Sequence, residues 1–497
     1  MASILEAAWE GLLFVLSWPN VLYPLAGTLA AMVVALLPGI SGAALMSLAI
    51  PLTLGWEPER VMLLFGALVG GATFMGSVTA ILLNIPGSGP SAAALLDGYP
   101  MARQGKAKTA LAASATASAL GSTFGIFVLI ALLPVVARVV PLIGPAEYLM
   151  LAVWALLTIG TLLRGSVSKG LAAAGLGLML SFVGYEPRTA ELRYTFGTLF
   201  LQDGLSVVPV FLGIFALAEV LDLGVSGRVT ISGRTTVEAL GGSVREGILA
   251  VFRHGALFLR SSVIGTVVGM IPGLGGTVAG FVAYGAAARS SPNGGARFGE
   301  GNIRGVIAPE AAIDAKDGGS LLPTLALGIP ANAMAAVMLA AMTLHGIRPG
   351  QELMTERLPL TFAIIWSLFI ANWMTSLLGL AVARPLTRLT IVRMDRLVPL
   401  VLVLSVLGAV SFRGQLADVW VACAFGVVGY LMKKYGWSRL AFVMAMVLGP
   451  LFESNLRLTW SLHELGRINF FTRPSVLVLF ALIVVTMVPA WRQRARK

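Results

Sequence analysis

Four Gly- and Pro-containing breaks interrupt the apolar segments of this chain, and each exposes backbone groups that suit a charged ligand. They lie at residues 37–42, 81–90, 271–276 and 325–332. Proline lacks a backbone N–H and glycine permits sharp turns, so an apolar helix must open at these points. Amide groups freed at the start of the next helix suit a carboxylate, because the helix dipole is positive there. Carbonyl groups freed at the end of the preceding helix suit a cation such as Na⁺.

Small polar side chains cluster at these breaks. The alternative interpretation is that Gly and Pro are simply common in membrane helices, where Ser and Thr bond to their own helix. Paired interruptions in corresponding parts of two halves instead indicate the binding site of a transporter. Because four breaks occupy matched places, we predict that substrate binds at Gly39, Ser41, Asn84, Gly87, Ser88, Gly273, Gly275, Thr277, Thr324, Ala331 and Asn332.

Ionisable residues near the breaks are candidates for coupling an ion to transport. Asp97 lies in LDGYP, where its alternative role is a turn-forming Asp-Gly with a local backbone bond. Glu310, Asp314, Lys316 and Asp317 lie in APEAAIDAKDGGS, immediately before an apolar segment. The alternative for this group is a solvated loop with mutual ion pairs. Ionisable residues that enter a membrane are functional candidates by default, so Asp314, Glu310 and Asp97 are the predicted ion-coupling residues. Lys316 could pair with Asp314 or meet an anionic substrate.

Composition places the chain in a bilayer. Of its 497 residues, 57% are hydrophobic and 12% are charged, against about 25% charged residues in a typical soluble domain. Apolar runs of about 20 residues recur along the sequence and predict an all-α polytopic membrane protein with roughly eleven to thirteen crossings. The net charge of +12 comes from Arg and Lys in short gaps between apolar runs, which indicates topology rather than nucleic-acid binding.

Few residues are available for metal or disulfide chemistry. Cys423 is the single cysteine, which excludes a disulfide framework or a cysteine-based metal site. The three histidines are far apart in sequence and form no predicted ligand cluster. The N-terminus lacks a basic region and a clear cleavage site, so no removable signal peptide is predicted. We predict no metal site and no cofactor, with H⁺ or Na⁺ as the transported coupling ion.

The chain divides into two apolar halves. The predicted parts are an interfacial N-terminal helix (1–20), a first transmembrane repeat (21–222), a basic cytoplasmic linker with an amphipathic helix (223–260), a second transmembrane repeat (261–491) and a basic cytoplasmic tail (492–497).

The two repeats are predicted to be inverted. The loop after Pro86 contains Arg103, Lys106 and Lys108 and should face the cytoplasm, whereas the loop after Pro330 balances its charges and suits the outside. Opposite orientations of matching loops place the symmetry axis in the membrane plane. The stretch around residue 272 has basic flanks on both sides, which leaves a re-entrant hairpin or a single crossing open.

The sequence favours transport over catalysis. It contains no nucleotide-binding P-loop and no Ser/His/Asp arrangement, so energy would come from an ion gradient. A membrane-embedded enzyme is disfavoured because no acid pair or metal cluster lies on one face. An uncoupled anion channel or pore-forming scaffold remains the alternative.

Long stretches of the chain resemble the large membrane subunit of the tripartite tricarboxylate transporter family (TctA-like), from about residue 25 to residue 474. The most specific is ILLNIPGSGPSAAALLDGYPMARQGKA, and others are LLPGISGAALMSLAIPLT, VIGTVVGMIPGLGGTVAGFVAYGAA, FGEGNIRGVIAPEAA and DGGSLLPTLALGIPANAMAAVMLAAMTLHGIRPG. This resemblance implies a secondary transporter in the bacterial inner membrane that imports a di- or tricarboxylate by alternating access. It also implies two partners: a small four-span membrane subunit and a periplasmic solute-binding protein.

Two positions depart from the family pattern. The family tends to have Asn-Asn where this chain has Ile313-Asp314, and Pro-Gly where this chain has Pro330-Ala331-Asn332. Both departures concern the second-half break. We hypothesise that Asp314 replaces neutral ligands with a titratable one and favours proton coupling or a different cation site.

Overall fold

Helices account for nearly all of the regular structure in this computed structural model. It describes residues 2–35, 41–84, 86–162, 166–186, 191–226, 241–290, 297–386, 394–470 and 472–494. Within these ranges the prediction of an all-α polytopic membrane protein is confirmed. One short antiparallel hairpin, β1 (Gly184–Tyr185) with β2 (Leu192–Arg193), is the exception in the described residues.

The first half contains α1 (Ala2–Leu16), α2 (Leu22–Ala35), α3 (Gly42–Leu52), α4 (Pro58–Gly71), α5 (Thr73–Leu83), α6 (Ala92–Met101), α7 (Ala107–Val139), α8 (Pro145–Leu162), α9 (Val167–Ser181), α10 (Leu199–Gln202), α11 (Val207–Phe211) and α12 (Ala218–Ser226). Short π-helical turns join α6 to α7 (Ala102–Lys106) and α11 to α12 (Leu212–Leu217), and a 3₁₀ turn follows α7 (Val140–Leu142).

The second half contains α13 (Val244–Arg253), α14 (Gly255–Met270), α15 (Gly275–Arg289), α16 (Arg304–Leu327), α17 (Ala333–Leu344), α18 (Gln351–Thr355), α19 (Leu358–Leu386), α20 (Met394–Arg413), α21 (Ala417–Lys434), α22 (Arg439–Glu464) and α23 (Pro474–Arg494).

Fewer helices cross as single long spans than the predicted eleven to thirteen. Five described helical stretches are long and apolar enough, and the pair α13–α14, bent by 77°, would be a sixth. The breaks account for part of the difference, since α8, α20, α21 and α23 are each 18 to 21 residues long. The breaks divide apolar segments into short pieces such as α2, α3 and α17, which have 14, 11 and 12 residues. A 12-residue helix is only about 18 Å long, well short of the ~30 Å hydrocarbon core.

The two halves interlock through equivalent contacts. Helix α16 of the second half packs against α7 of the first, and α4 of the first half packs against α19 of the second. Likewise α13 lies on α7 and α1 lies on α19. The same contacts therefore recur when the halves are exchanged, as two repeats related by a two-fold axis require. The orientation of that axis to the membrane stays a prediction.

The backbones of the neighbouring helices α7 and α14 pack very close to the backbone of α16. A Cβ added at Gly125 of α7 would lie 2.2 Å from the carbonyl oxygen of Ala315, and one at Gly265 of α14 would lie 2.1 Å from that of Ala312. The small residues of α7 and α14 thus allow backbone-to-backbone packing on both sides of α16, as membrane helices use them.

The predicted linker (223–260) and the chain termini lie partly outside the described residues. Helix α13 supplies the amphipathic helix expected in 223–260 and packs on α7 through Gly247, which meets the carbonyl oxygen of Thr109. The predicted end of the linker at residue 260 falls inside α14. Residues 227–240 and 495–497 lie outside the described residues. Helix α1 exposes Leu5, Trp9 and Leu13 while it buries Val15, and its interfacial position stays a prediction.

Candidate functional site

The breaks of the two halves meet at one cavity of about 1160 Å³. Its walls combine the end of α2, the starts of α3, α5, α15 and α17, the loop 86–90 after α5, and the gap between α21 and α22. The predicted substrate-binding residues that line it are Ser41, Gly87, Ser88, Gly273, Gly275, Thr277 and Asn332. Residues from positions as distant as 41 and 332 therefore share one space.

Two helices begin at this cavity with capping side chains. Ser41 precedes α3, and its Oγ accepts a hydrogen bond of 3.2 Å from the N–H of Ala44. Asn332 precedes α17, and its Oδ1 accepts a hydrogen bond of 3.0 Å from the N–H of Ala335. Each cap leaves further amide groups of the first turn without intrahelical partners. Both positive helix ends thus face the same cavity.

The second breaks of the two halves have the same local backbone. Helix α5 ends at Asn84 with φ +58°, and α16 ends at Gly328 with φ +67°, both in the left-handed region. In the sequence, Ile-Pro follows each of these residues. A left-handed residue followed by proline stops a helix sharply, because proline cannot continue it. The matched motifs ILLNIPG and LALGIPA therefore produce matched helix ends.

The breaks also contact one another. The N–H of Gly273 donates to the carbonyl oxygen of Ala331 at 2.8 Å, which joins the two breaks of the second half. A Cβ added at Gly89 would lie 2.8 Å from Thr277 Oγ1, so the tip of the first-half break touches the start of α15. The structure therefore places three of the four breaks side by side.

Several predicted residues lie elsewhere. Gly39 lies outside the described residues, between α2 and Ser41. Asn84 is exposed as the C-cap of α5 and does not line the cavity. Thr324 is buried inside α16, where its hydroxyl donates to the carbonyl oxygen of Ser320 at 2.6 Å. Ala331 is buried behind the wall and contributes through the carbonyl contact with Gly273 rather than as a lining residue.

Three carboxylates form a column on one face of α16. Glu310, Asp314 and Asp317 are each fully buried and are spaced by four and three residues, which puts them on the same side of the helix. Ser77 of α5 donates to Glu310 Oε1 at 2.6 Å, and Asn372 of α19 donates to Asp314 Oδ1 at 2.9 Å. The alternative of a solvated loop is wrong, because this part of the chain is buried helix.

Each carboxylate of the column retains an unpartnered oxygen. Glu310 Oε2, Asp314 Oδ2 and Asp317 Oδ2 are buried without a hydrogen bond in the described structure. Ser114 and Ser118 of α7 lie beside Glu310 and Asp314, but their hydroxyls are not in hydrogen-bonding geometry. Buried polar atoms normally have hydrogen-bond partners. A proton, a water molecule or an ion at these oxygens would explain the exceptions.

Lys316 links this column to the cavity. Its side chain lines the cavity wall, where a Cβ added at Gly276 would lie 2.8 Å from Lys316 Cε. Its ammonium forms a buried ion pair with Asp317. The partner is therefore Asp317 rather than Asp314, and the same lysine also faces the space where an anionic substrate would bind. This pairing could not be predicted from the sequence, because side chains at adjacent positions of a helix do not face each other.

Asp97 makes a different set of contacts. Its Oδ1 accepts hydrogen bonds of 2.9, 3.0 and 2.7 Å from the N–H groups of Gly299, Gly301 and Asn302, and its Oδ2 accepts one of 2.9 Å from Tyr284. It lies inside α6 rather than in a local turn. These bonds fasten the loop before α16 to the first half. A role of Asp97 in ion coupling stays a prediction.

The mouth of the cavity was missed by the sequence analysis. Among the described residues, the charged side chains on its wall are one acid and four bases: Glu219, Arg289, Lys316, Lys433 and Arg439. Glu219 accepts from Lys433 at 2.6 Å and from Arg439 at 2.9 Å. The sequence analysis considered Lys316 for an ion pair or a substrate contact. It did not assign Arg289, Lys433, Arg439 or Glu219 to a binding cavity, because nothing in their positions along the chain indicated a shared cavity.

Comparisons with known proteins give one family and two related proteins. The model of the tripartite tricarboxylate transporter TctA family matches residues 21–444. An Agrobacterium vitis protein described as "Uncharacterized 52.8 kDa protein in TAR-I ttuC' 3'region" is 30% identical over 492 residues, covering 96% of this chain and 95% of that protein. A second, "Uncharacterized protein in TAR-II ttuC' 3'region" from the same organism, is 30% identical over 234 residues, covering 46% and 96%. No solved structure matches the chain.

Proposed function

Because the chain belongs to the tripartite tricarboxylate transporter TctA family, we propose that it imports an organic acid, of the di- or tricarboxylate type, by alternating access. The resemblance noted in the sequence is confirmed, and the chain is the large membrane subunit of such a system. A periplasmic solute-binding protein would deliver the acid, a small four-span subunit would complete the membrane part, and a gradient of H⁺ or Na⁺ across the bacterial inner membrane would drive uptake.

One observation carries this proposal: helix breaks from both halves converge on a single cavity that presents positive groups. The caps of α3 and α17 aim two helix N-termini at it, and the side chain of Lys316, paired with Asp317, adds an ammonium group to its wall. Amide N–H groups and an ammonium are the donors that carboxylates need. The cavity, at about 1160 Å³, is slightly larger than a typical small-molecule site of ~300–1,000 Å³.

Within this proposal the residues have distinct roles. Ser41 and Asn332, with the backbone around Gly87 and Gly273, would hold the carboxylates of the substrate. Ser88, Gly275 and Thr277 would line the remaining surface of the bound acid, and the role of Gly39 stays a prediction from the sequence. Glu310 and Asp314 would bind the coupling ion, behind the cavity wall.

Uptake into proteoliposomes tests the function. The chain is reconstituted with its small subunit, and binding protein loaded with ¹⁴C-citrate, ¹⁴C-succinate, ¹⁴C-malate or ¹⁴C-tartrate is added outside. We expect accumulation of at least one acid against its concentration gradient when a pH or Na⁺ gradient is imposed, and none without binding protein. Flux that only dissipates the acid gradient, with no dependence on either ion or on binding protein, would instead identify an uncoupled channel.

A further inference from the structure

Lys316 stands between the cavity and the carboxylate column, and it has two competing partners. Its ammonium is paired with Asp317, which is fully buried behind it. Its side chain is also part of the cavity wall, with about 9% of its surface exposed. A carboxylate that enters the cavity therefore reaches the same ammonium from the open side.

The charges behind Lys316 do not balance. Glu310, Asp314 and Asp317 supply three carboxyl groups, and Lys316 supplies one cation. Within the described residues, the charged groups that act on the three carboxyls are one another and Lys316. The helices packed against this face contribute uncharged groups, namely Ser77, Ser114, Ser118 and Asn372. Asp97 of α6 lies against Gly305 at the start of α16, and both of its carboxylate oxygens accept hydrogen bonds from other groups.

A buried carboxylate without an ionic partner takes up a proton rather than remain charged. If substrate draws the ammonium of Lys316 away, Asp317 becomes such a group. Asp314 lies one turn further along the same face and Glu310 one turn beyond it, each with a free oxygen. The three carboxyls lie about one helical turn apart, so protonation of one affects the charge state of its neighbours.

From this geometry we propose that Lys316 is a substrate ligand, and that its transfer from Asp317 to a substrate carboxylate loads one proton onto the column Asp317–Asp314–Glu310. The inference rests on the proposed transport function and deepens it. Lys316 keeps its own proton throughout. The substrate brings one negative charge to the ammonium, Asp317 gains one proton from water, and the net charge of the site is unchanged. Release of substrate restores the Lys316–Asp317 pair and returns the proton.

A proton fits this column better than a metal cation. The three carboxyls are strung along the helix, and in the described part of the chain no three His, Cys, Asp or Glu side chains converge on a common metal position. Hard cations take about six or more oxygen ligands, whereas Glu310 and Asp314 each have two polar side-chain neighbours from other helices. One of the groups facing Asp314 is an amide N–H donor, which suits a carboxyl oxygen and opposes a cation.

The test uses the full system in proteoliposomes, with the acid that gives the highest wild-type uptake among citrate, succinate, malate and tartrate. Proton movement is recorded with a pH dye inside the vesicles, and ¹⁴C uptake gives the ratio of protons to substrate. The variants are Lys316→Gln, Asp317→Asn and the double variant, which removes both charges and leaves no unpaired buried ion. Asp418→Asn is the matched control, a fully buried aspartate on α21 that lies outside the cavity and the column.

Wild type and Asp418→Asn should carry about one more proton per substrate than Asp317→Asn or the double variant. Lys316→Gln and the double variant should raise KM at least about tenfold, the ratio expected for one lost charge-assisted hydrogen bond. An unchanged proton ratio in Asp317→Asn or in the double variant would overturn the inference, and so would wild-type uptake driven by Na⁺ alone with no proton movement. Neither result touches the proposed function. Absence of any ion-driven uptake by wild type would reject both.

Discussion

Replacing Gly87 by alanine tests whether the first-half break must hold its observed shape for transport. The space around Gly87 is closed by backbone. A Cβ there would lie 2.6 Å from the carbonyl oxygen of Ala35, 2.7 Å from Gly76 Cα and 2.8 Å from Thr79 Oγ1. Two of these three atoms belong to the main chain, so rotation of a side chain cannot relieve the clash. The N–H of Gly87 also donates to the carbonyl oxygen of Gly76 at 3.2 Å, a bond that any displacement would lengthen.

The magnitude follows from overpacking. Adding a methyl group to a closed site costs about 1–3 kcal/mol, which corresponds to a factor of about 5–150 in the population of the observed arrangement. Because Gly87 is itself on the cavity wall, we expect this cost to appear as a fall in uptake rather than as failure to insert. A bulky residue such as leucine should abolish uptake altogether.

Gly175→Ala is the matched control for this prediction. Gly175 lies on α9, and a Cβ added there meets no atom within 4 Å. Alanine in an open helical position should stabilise by about 0.5–1 kcal/mol. Uptake of the transported acid is measured together with membrane expression and the elution profile of the detergent-solubilised protein. Normal uptake by Gly87→Ala and Gly87→Leu, with wild-type expression, would refute the assignment of this break to the binding site.

Three further changes test separate parts of the structure. Asp314→Asn should flatten the pH dependence of uptake, because it removes a titratable carboxyl from the buried column; an unchanged pH profile would reject proton binding at Asp314. Gly125→Val should sharply reduce the yield of monodisperse protein, since any Cβ would lie 2.2 Å from the carbonyl oxygen of Ala315; a wild-type elution profile would contradict the packing of α7 on α16. Glu219→Gln should lower the free energy of unfolding by roughly 1–3 kcal/mol, because Lys433 and Arg439 lose the carboxylate that accepts hydrogen bonds from both. The change is measured as a lower Tm. An unchanged Tm would show that solvent already satisfies the two basic side chains.

The breaks could be predicted from the sequence because their cause is local. Proline and glycine determine where a helix ends, whatever surrounds it, so ILLNIPG and LALGIPA indicated matched ends directly. That the breaks share a cavity followed from their matched positions in two halves. Individual lining residues followed less well. Asn84 and Thr324 have suitable side chains and lie at the predicted breaks. A shift of one residue along a helix rotates a side chain to another face, however, and this is enough to move it away from the cavity wall.

The burial of α16 could not be predicted, because it depends on other helices. Residues 304–317 of this helix include Arg304, Glu310, Asp314, Lys316 and Asp317, a composition that indicates a polar loop when the segment is considered alone. The protein places this segment inside through glycines on α7 and α14, which are far away in sequence. A hydropathy window evaluates one helix at a time. The burial of α16 instead depends on the neighbouring helices, which shield its polar residues from solvent and lipid.

The packing of α16 restricts how access to the cavity can alternate. At Gly125, Gly265 and Gly269 an added Cβ would lie within 2.1–2.3 Å of a carbonyl oxygen of α16, so neighbouring backbones leave no room for α16 to slide or rotate between α7 and α14. These three helices must move together. At the start of α3 the nearest neighbours are side chains instead, because a Cβ added at Gly42 would lie 2.9 Å from Met334 Sδ and 3.7 Å from Ala72 Cβ. We therefore expect access to the cavity to alternate without separating α16 from α7 and α14.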